Sequence, residues 1–269
     1  MLSKRILSAI VALPIVFYLI WLGGYWYTAL ICIAAVVGIH EYMKMLDLKS
    51  LIPQIYSYIS VVAIVVSVHF GYVFITLAVI CAIFVITALN LLLDFKDTDV
   101  AEMASLFWGI MYVGGLLAFL VSMRSMFALH FTVMFFAVIW ANDTAAYFVG
   151  RKWGRNKLSP LVSPNKTIEG AIGGLVVPLA LVAILHPLIG QHYPLTLGWS
   201  IIFTVSIVAM AQVGDLVESA MKRKLKVKES GGIIPGHGGV LDRFDGIIFA
   251  APFAHYFLMI AQRFIAFLK

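Results

Sequence analysis

The sequence predicts an all-α fold, a polytopic integral membrane bundle of about nine transmembrane helices. Of its 269 residues, 62% are hydrophobic and only 12% are charged, and the mean hydropathy is +1.01. Soluble domains carry about 25% charged residues. Because each span uses about 20 residues, a chain of this length has no room for a separate soluble domain. The composition therefore excludes secreted, fibrous and disordered proteins.

Charges, glycines and prolines divide the chain into nine apolar stretches. Each is predicted to be a helix, because backbone polar groups in lipid must be paired internally. The first follows Lys4 and Arg5 but has no small-residue cleavage site, so we interpret it as an uncleaved span. The second and third are shorter than a span, so they are expected to extend into their flanks, to tilt, or not to span the membrane. The stretches cover approximately 6–22, 25–39, 55–68, 72–93, 105–121, 127–149, 170–190, 197–218 and 244–266.

The basic residues predict the orientation of these spans. Connecting segments on the amino-terminal side of the membrane contain 16 Lys and Arg residues, and those on the opposite side contain 3 when Arg263, near the end of the last stretch, is counted with them. The positive-inside rule then places the amino terminus in the cytoplasm and the carboxyl terminus outside. Two long cytoplasmic loops, 150–169 and 219–243, hold eleven of the nineteen basic residues. Orientation thus accounts for the net charge of +6, and no nucleic-acid partner is expected.

Polar character is graded along the chain and predicts two regions. Residues 1–126 form about five plain apolar spans, whereas residues 127–269 carry nearly all the glycine-rich, charged and proline-containing loops. Cys32 and Cys81 lie inside apolar runs, where they are interpreted as buried hydrophobes rather than metal ligands. Function is therefore expected in the second region.

Two acidic residues, Asp143 and Asp215, fall inside apolar stretches near their cytoplasmic ends. Carboxylates in hydrocarbon are costly and usually face a cavity, a partner or a metal, although one that merely meets the headgroups is the plainer alternative. Glu218, Ser219 and Lys222 fall on the same helical face as Asp215. Acidic, hydroxyl and basic side chains are therefore expected on one helical face, at the cytoplasmic end of the span.

The segment 222–246 combines a basic cluster, a glycine-rich turn and two carboxylates, Asp242 and Asp245, three positions apart. Lysines and arginine neutralise polyphosphate, glycines let backbone N–H groups approach it, and aspartates hold a divalent cation. The alternative is a positive-inside anchor with a flexible connector. That explains the lysines but neither Pro-Gly-His-Gly-Gly at 235–239 nor Asp-Arg-Phe-Asp at 242–245.

The other long loop ends in Ser-Pro-Asn-Lys-Thr-Ile-Glu-Gly at 163–170. This sequence is typical of a helix start, with a base and backbone amides that can receive an anion. Thr167 is alternatively an ordinary helix cap. His237 is the only histidine in a glycine-rich polar loop. Five others are interpreted as structural, and His40 beside Glu41 is ambiguous.

Residues 219–245 closely resemble the signature of the phosphatidate cytidylyltransferase family, also called CDP-diacylglycerol synthases. That signature reads Ser-x-apolar-Lys-Arg-x4-Lys-Asp-x-small-x2-apolar-Pro-x-His-Gly-Gly-apolar-x-Asp-Arg-apolar-Asp. One position departs, because Glu229 stands where the signature has Asp. The block from Trp140 to Glu169, and Gly214 with Asp215 and Glu218, are also similar to the family.

The resemblance implies a CTP-dependent transfer that requires Mg²⁺. The phosphate of phosphatidate attacks the α-phosphorus of CTP, which gives CDP-diacylglycerol and pyrophosphate. By similarity, Asp215 and Asp242 bind the metal, and Asp245 is a supporting carboxylate. The residues implied to contact phosphates of CTP or of the lipid are Lys166, Lys222, Arg223, Lys228, His237 and Arg243. Further expected substrate-binding residues are Asp143, Ser163, Thr167, Glu169, Glu218, Ser219, Gly238 and Gly239.

The expected partners are CTP, phosphatidate and the surrounding membrane lipids, with the site on the cytoplasmic face of the inner membrane. The sequence leaves open a homodimer and a monovalent cation beside Mg²⁺. One rival function is a CTP-dependent kinase of polyprenol-type lipids, which would transfer the γ-phosphate. The other is an ion-coupled transporter, because buried acids also mark ion paths. A transporter predicts inverted repeats, and the sequence shows none.

Overall fold

A computed structural model of the chain describes residues 14–93, 99–189, 195–232 and 238–267. The predicted all-α fold is confirmed, since these residues are mainly helical and include a single two-stranded sheet. Eight helices in the described ranges are long and apolar enough to cross a membrane. Of the first predicted span, only 14–22 is described, and it is helical. The count of nine spans and the sides of the two termini stay predictions.

The helices and strands follow the predicted apolar stretches closely. The second and third stretches do extend into their flanks and reach the length of a span. A π-helical segment, Met111–Gly115, joins two α-helices into one continuous helical stretch. In chain order the elements are α1 (Gly24–Met45), α2 (Leu51–His69), α3 (Val73–Leu93), α4 (Val100–Ile110), the π segment, α5 (Leu116–Met126), α6 (Leu129–Trp153), β1 (Lys157–Ser159), β2 (Ser163–Thr167), α7 (Ile168–Ile189), α8 (Leu197–Lys224) and α9 (Leu241–Phe267).

The described residues form two compact units, and the first is discontinuous in sequence. It combines Met1–Met126 with Val227–Arg243. Glycines let its helices approach closely. A Cβ atom on Gly114 of the π segment would lie 2.9 Å from the Cα of Val61 in α2. One on Gly38 of α1 would lie 3.1 Å from Leu241, the first residue of α9.

The second unit comprises Phe127–Lys226 and Phe244–Lys269. Its helices α6 and α7 run antiparallel and are joined by the β1–β2 hairpin, in which Ser159 pairs with Ser163. A Cβ on Gly173 of α7 would lie 2.6 Å from Val149 of α6. The two helices are therefore in close contact, and the hairpin is held at one end of the pair.

The two predicted cytoplasmic loops are shorter than expected. The predicted loop 150–169 contains the end of α6 and the β-hairpin. The predicted loop 219–243 begins later than expected, because α8 continues to Lys224. Basic residues interrupt an apolar pattern without ending a helix. Three of them in the last turn of α8, Lys222, Arg223 and Lys224, lie at the end where the helix dipole favours positive charge.

Candidate active site

Buried amides fix α8 within the second unit one turn before Asp215. The Nε2 atom of Gln212 donates to Oδ1 of Asn142 at 2.9 Å and to the carbonyl oxygen of Ala171 at 2.9 Å. Asn142 is only 3% exposed. Burying polar groups is costly unless they are paired. These hydrogen bonds therefore fix the position of α8 along α6 and α7.

Three carboxylates converge where α8 passes α9. One oxygen from each of Asp215, Glu218 and Asp245 lies within 4.8 Å of the others. A glycine stands next to each aspartate and permits this approach. A Cβ on Gly214 would lie 2.6 Å from the carbonyl oxygen of Asp245, and one on Gly246 would lie 3.1 Å from that of Ala211. We refer to Asp215, Glu218 and Asp245 as the acidic cluster.

Two lysines neutralise part of this charge. Lys166, from β2, forms an ion pair with Asp215. Lys222 forms one with Glu218 at 2.5 Å, one turn further along α8, where the Glu218 side chain is 1% exposed. With all three carboxylates ionised, the acidic cluster and its two ammonium groups together leave one negative charge. A cation would remove the remaining repulsion between the carboxylates.

The donor set fits a hard divalent metal. Carboxylate oxygens are the ligands that Mg²⁺ prefers in proteins, and Mg²⁺ sites commonly use one or two carboxylates and leave positions for water and phosphate. The acidic cluster can therefore hold a metal ion, and Mg²⁺ is compatible with it.

The β-hairpin places Lys166 beside α8. Thr167 is a helix cap, since its Oγ1 accepts from the N–H of Gly170 at 3.1 Å. Glu169 accepts from the N–H of Arg155 at 3.1 Å and from Nδ2 of Asn156 at 2.8 Å, which closes the hairpin at its base. Both residues thus have structural roles here, and their predicted contacts with substrate stay predictions.

Asp242, the second predicted metal ligand, belongs to the first unit. Its Oδ2 accepts from the N–H of Ser230 at 3.1 Å, from Oγ of Ser230 at 3.0 Å and from the N–H of Gly239 at 2.9 Å. Asp242 thereby holds both described ends of the glycine-rich loop, 225–240. Its role as a metal ligand together with Asp215 stays a prediction.

The other predicted site residues lie on α6, β2 and α8, in the glycine-rich loop and at the start of α9. Asp143 is exposed on α6 and accepts from Nδ2 of Asn142 at 2.9 Å. Arg223 donates from Nε to the carbonyl oxygen of Val162 at 3.3 Å, which links the end of α8 to the hairpin. His237 lies outside the described residues. Ser163, Ser219 and Gly238 are half-buried, Gly239 is buried, and Lys228 and Arg243 are exposed.

Sequence reasoning did not single out Glu41, whose surroundings in the structure are unusual for a carboxylate. It lies in the carboxyl-terminal half of α1, is 1% exposed, and accepts hydrogen bonds from Ser230, Val240 and Leu241. A carboxylate just past the end of the apolar stretch 25–39 was a usable signal, similar to the one that identified Asp215. Its partners, about 200 positions away in the chain, were not readable from the sequence.

Helices long and apolar enough to cross a membrane, and an acidic cluster that is flanked by lysines and can hold a metal ion, define an integral membrane protein with a polar site. Comparison with known proteins identifies the family. Residues 3–261 match the model of the Cytidylyltransferase family, and the chain belongs to this family.

Individual relatives support the same conclusion over nearly the whole length. The chain is 33% identical over 273 residues to the phosphatidate cytidylyltransferase of Bacillus subtilis (strain 168), a match that covers 95% of this chain and 97% of that protein. It is 34% identical to the proteins of the same name from Staphylococcus haemolyticus (strain JCSC1435) and Staphylococcus aureus (strain COL), covering 95% of this chain and 98% of each. The resemblance seen in the signature is therefore confirmed.

Proposed function

We propose that this protein transfers the cytidylyl group of CTP to phosphatidate, giving CDP-diacylglycerol and pyrophosphate. The observation that carries the proposal is the acidic cluster with its two paired lysines, in a chain that matches phosphatidate cytidylyltransferases over 95% of its length. Both substrates are polyanions, and a site that combines a metal with ammonium groups neutralises such charge.

The position of the cluster along α8 suits a substrate that stays in the bilayer. This helix has 28 residues, whereas about 20 suffice to cross the hydrocarbon core. Counted from Leu197, the core ends close to Asp215, and Glu218 and Lys222 lie beyond it. The distribution of basic residues favours the cytoplasmic side for this end of the helix, where CTP is available. The site is thus proposed at the cytoplasmic face of the inner membrane.

We assign the metal to the acidic cluster. When bound, Mg²⁺ would offset charge on the CTP phosphates and polarise the α-phosphorus. Lys166 and Lys222 hold Asp215 and Glu218 in place and offer ammonium groups for phosphate oxygens. Arg223, Lys228, His237 and Arg243 are the further proposed phosphate contacts, with backbone amides at Gly238 and Gly239.

The reaction needs no covalent nucleophile on the protein. A phosphate oxygen of phosphatidate forms a bond to the α-phosphorus of CTP, and the bond from that phosphorus to the bridging oxygen of the β-phosphate breaks. Pyrophosphate leaves with the electron pair. Because the attacking group is already an anion, the residues of the site chiefly bring two anions together and align them.

Two radiolabels separate this proposal from its rivals. The purified protein is incubated with phosphatidate, Mg²⁺ and CTP labelled at either the α- or the γ-phosphorus, and the lipids are extracted. The proposal predicts label in CDP-diacylglycerol from α-labelled CTP and in pyrophosphate from γ-labelled CTP. A lipid kinase would instead place the γ-label in the lipid when a polyprenol-type alcohol is supplied. Absence of lipid label with either nucleotide would contradict the proposal.

A further inference from the structure

A buried carboxylate from α1 accepts hydrogen bonds at the start of α9. Glu41 is 1% exposed and lies near the end of α1. Its Oε1 accepts from the N–H of Val240 at 2.9 Å, and its Oε2 accepts from the N–H of Leu241 at 2.9 Å. The first amides of a helix have no partner within the helix. Glu41 supplies that partner from another helix of the same unit.

Its charge also suits the position. The amino terminus of a helix carries a partial positive charge, which stabilises a nearby anion. Hydrogen bonds from backbone N–H groups to a carboxylate are stronger than those between neutral groups. These bonds compensate for the cost of burying a carboxylate in the membrane region.

Ser230 connects this carboxylate to a second one. Its Oγ lies 3.2 Å from Oε2 of Glu41 and 3.0 Å from Oδ2 of Asp242, and its N–H donates to the same Asp242 oxygen. Two glycines, Gly231 and Gly239, pack closely against these side chains. A Cβ on Gly231 would lie 2.5 Å from Oε1 of Glu41, and one on Gly239 would overlap Ser230 and Glu41. The backbone at Gly231 and Gly239, near the two described ends of the glycine-rich loop, therefore packs directly against these carboxylates.

We infer that Glu41 is a positioning residue for the cytidylyl transfer: it fixes the two described ends of the glycine-rich loop and the first turn of α9. The inference rests on the proposed function, because it assumes that this segment serves CTP and phosphatidate. Glu41 acts through Ser230, Val240 and Leu241, and no contact with substrate is assigned to it. The plain alternative is that Glu41 only stabilises the fold. Under that alternative, the molecules that do fold would be fully active.

The variant Glu41→Gln keeps the shape of the side chain and tests this inference. A glutamine amide accepts through one atom and donates through the other, so one of the two backbone N–H groups would face a donor. The matched control is Asp47→Asn, which also removes a carboxylate at the same end of α1, but one whose side chain is 84% exposed. Both variants are purified, and the folded fraction is measured before kinetics.

We expect Glu41→Gln to lower kcat/KM for CTP per folded molecule on the order of 10- to 100-fold, since small misplacements of reacting groups cost that much. Hydrogen exchange should rise in 227–232 and 238–243 and stay unchanged in α2. Asp47→Asn should match the parent protein in both measurements. Unchanged kinetics per folded molecule, or a rise in exchange spread evenly over the first unit, would overturn the inference.

A second variant covers the case in which Glu41→Gln does not fold. Ser230→Ala removes only the shared hydroxyl and leaves both carboxylates with their backbone partners. We expect a loss of about 10-fold in kcat/KM, the effect of one hydrogen bond to a charged group, together with faster exchange in the same two stretches. Parent-like kinetics and exchange would overturn the inference. If the parent protein formed no CDP-diacylglycerol, the proposed function would fail, while the exchange measurement would still report on the loop.

Discussion

Asp215 and Asp245 each stand beside a glycine, and this pairing explains why two acids on separate helices meet. Gly214 and Gly246 remove the side chains that would keep α8 and α9 apart. The carboxylates consequently share a space of less than 5 Å with Glu218. The chemical demand on each acid is charge, because a neutral amide oxygen can coordinate a divalent cation but cannot offset its charge.

We therefore predict that Asp245→Asn lowers turnover roughly 10²- to 10³-fold, comparable to the loss of one stabilising group in other active sites. Asp245 is preferable to Asp215 for this test, since Asp215 also holds Lys166. Turnover is measured across a range of Mg²⁺ concentrations, and Mn²⁺ binding is followed by electron paramagnetic resonance. Asp47→Asn is the control. Near-normal turnover of Asp245→Asn at limiting Mg²⁺ would show that Asp245 is not a ligand.

For individual residues, the sequence indicated which polar side chains are unusual, but it did not indicate which groups they contact. Asp215 and Glu218 were recognisable because polar groups in an apolar helix are conspicuous, and helical spacing placed them on one face. The bonds of Asp242 to Ser230 and Gly239 depend on the path of the loop backbone. Spacing along the chain carries no information on that path, and the same is true of Glu41.

Among the elements, α8 contributes most to the site. It carries Gln212, which fixes its height, then Asp215 and Glu218, and finally Lys222. Its close approach to α9 depends on Gly214, where any side chain would meet the backbone carbonyl of Asp245. A rigid carbonyl cannot rotate away as a side chain can.

We predict that Gly214→Ala separates α8 from α9 and weakens both activity and Mn²⁺ affinity, by about 10-fold or more. Gly198→Ala, on the same helix, is the matched control, because the nearest atom to its added Cβ would lie 3.9 Å away, on Thr196. Alanine favours a helix over glycine by up to about 1 kcal/mol, so Gly198→Ala should be neutral or slightly stabilising. Activity, Mn²⁺ binding and thermal midpoint in detergent are compared. Equal behaviour of the two variants would disprove the role of Gly214.

The elements that the sequence did not predict are short. Hydropathy placed every described span, because apolar length is a strong and local signal. The β1–β2 hairpin has strands of three and five residues without apolar alternation, so nothing in 157–167 indicated it. The π segment is likewise invisible to hydropathy, since it lies within a continuous apolar run.

For the whole molecule, the lopsided distribution of basic residues makes a prediction about sidedness. In a protein without Cys32 and Cys81, single cysteines at Lys157 and Lys224 should be shielded from an impermeant thiol reagent in intact cells. A cysteine at Tyr72, in the uncharged connection between α2 and α3, should react from outside. All three positions are exposed, so accessibility of the side chain is matched. The same labelling at Tyr72 and Lys157 would refute the alternating topology.

The discontinuity of the first unit has a consequence for how the protein is made. Met1–Met126, which makes up 126 of the 143 residues of that unit, has emerged from the ribosome long before Val227–Arg243 is translated, and the whole of Phe127–Lys226 comes in between. Until residues 240 and 241 are synthesised, Glu41 lacks the two backbone N–H groups that later donate to it. The helices of Met1–Met126 are therefore in the bilayer before the segment that completes their unit, Val227–Arg243, has been made. If the protein is expressed as two fragments divided after Met126, the amino-terminal fragment should accordingly fold completely only when the carboxyl-terminal fragment is expressed with it.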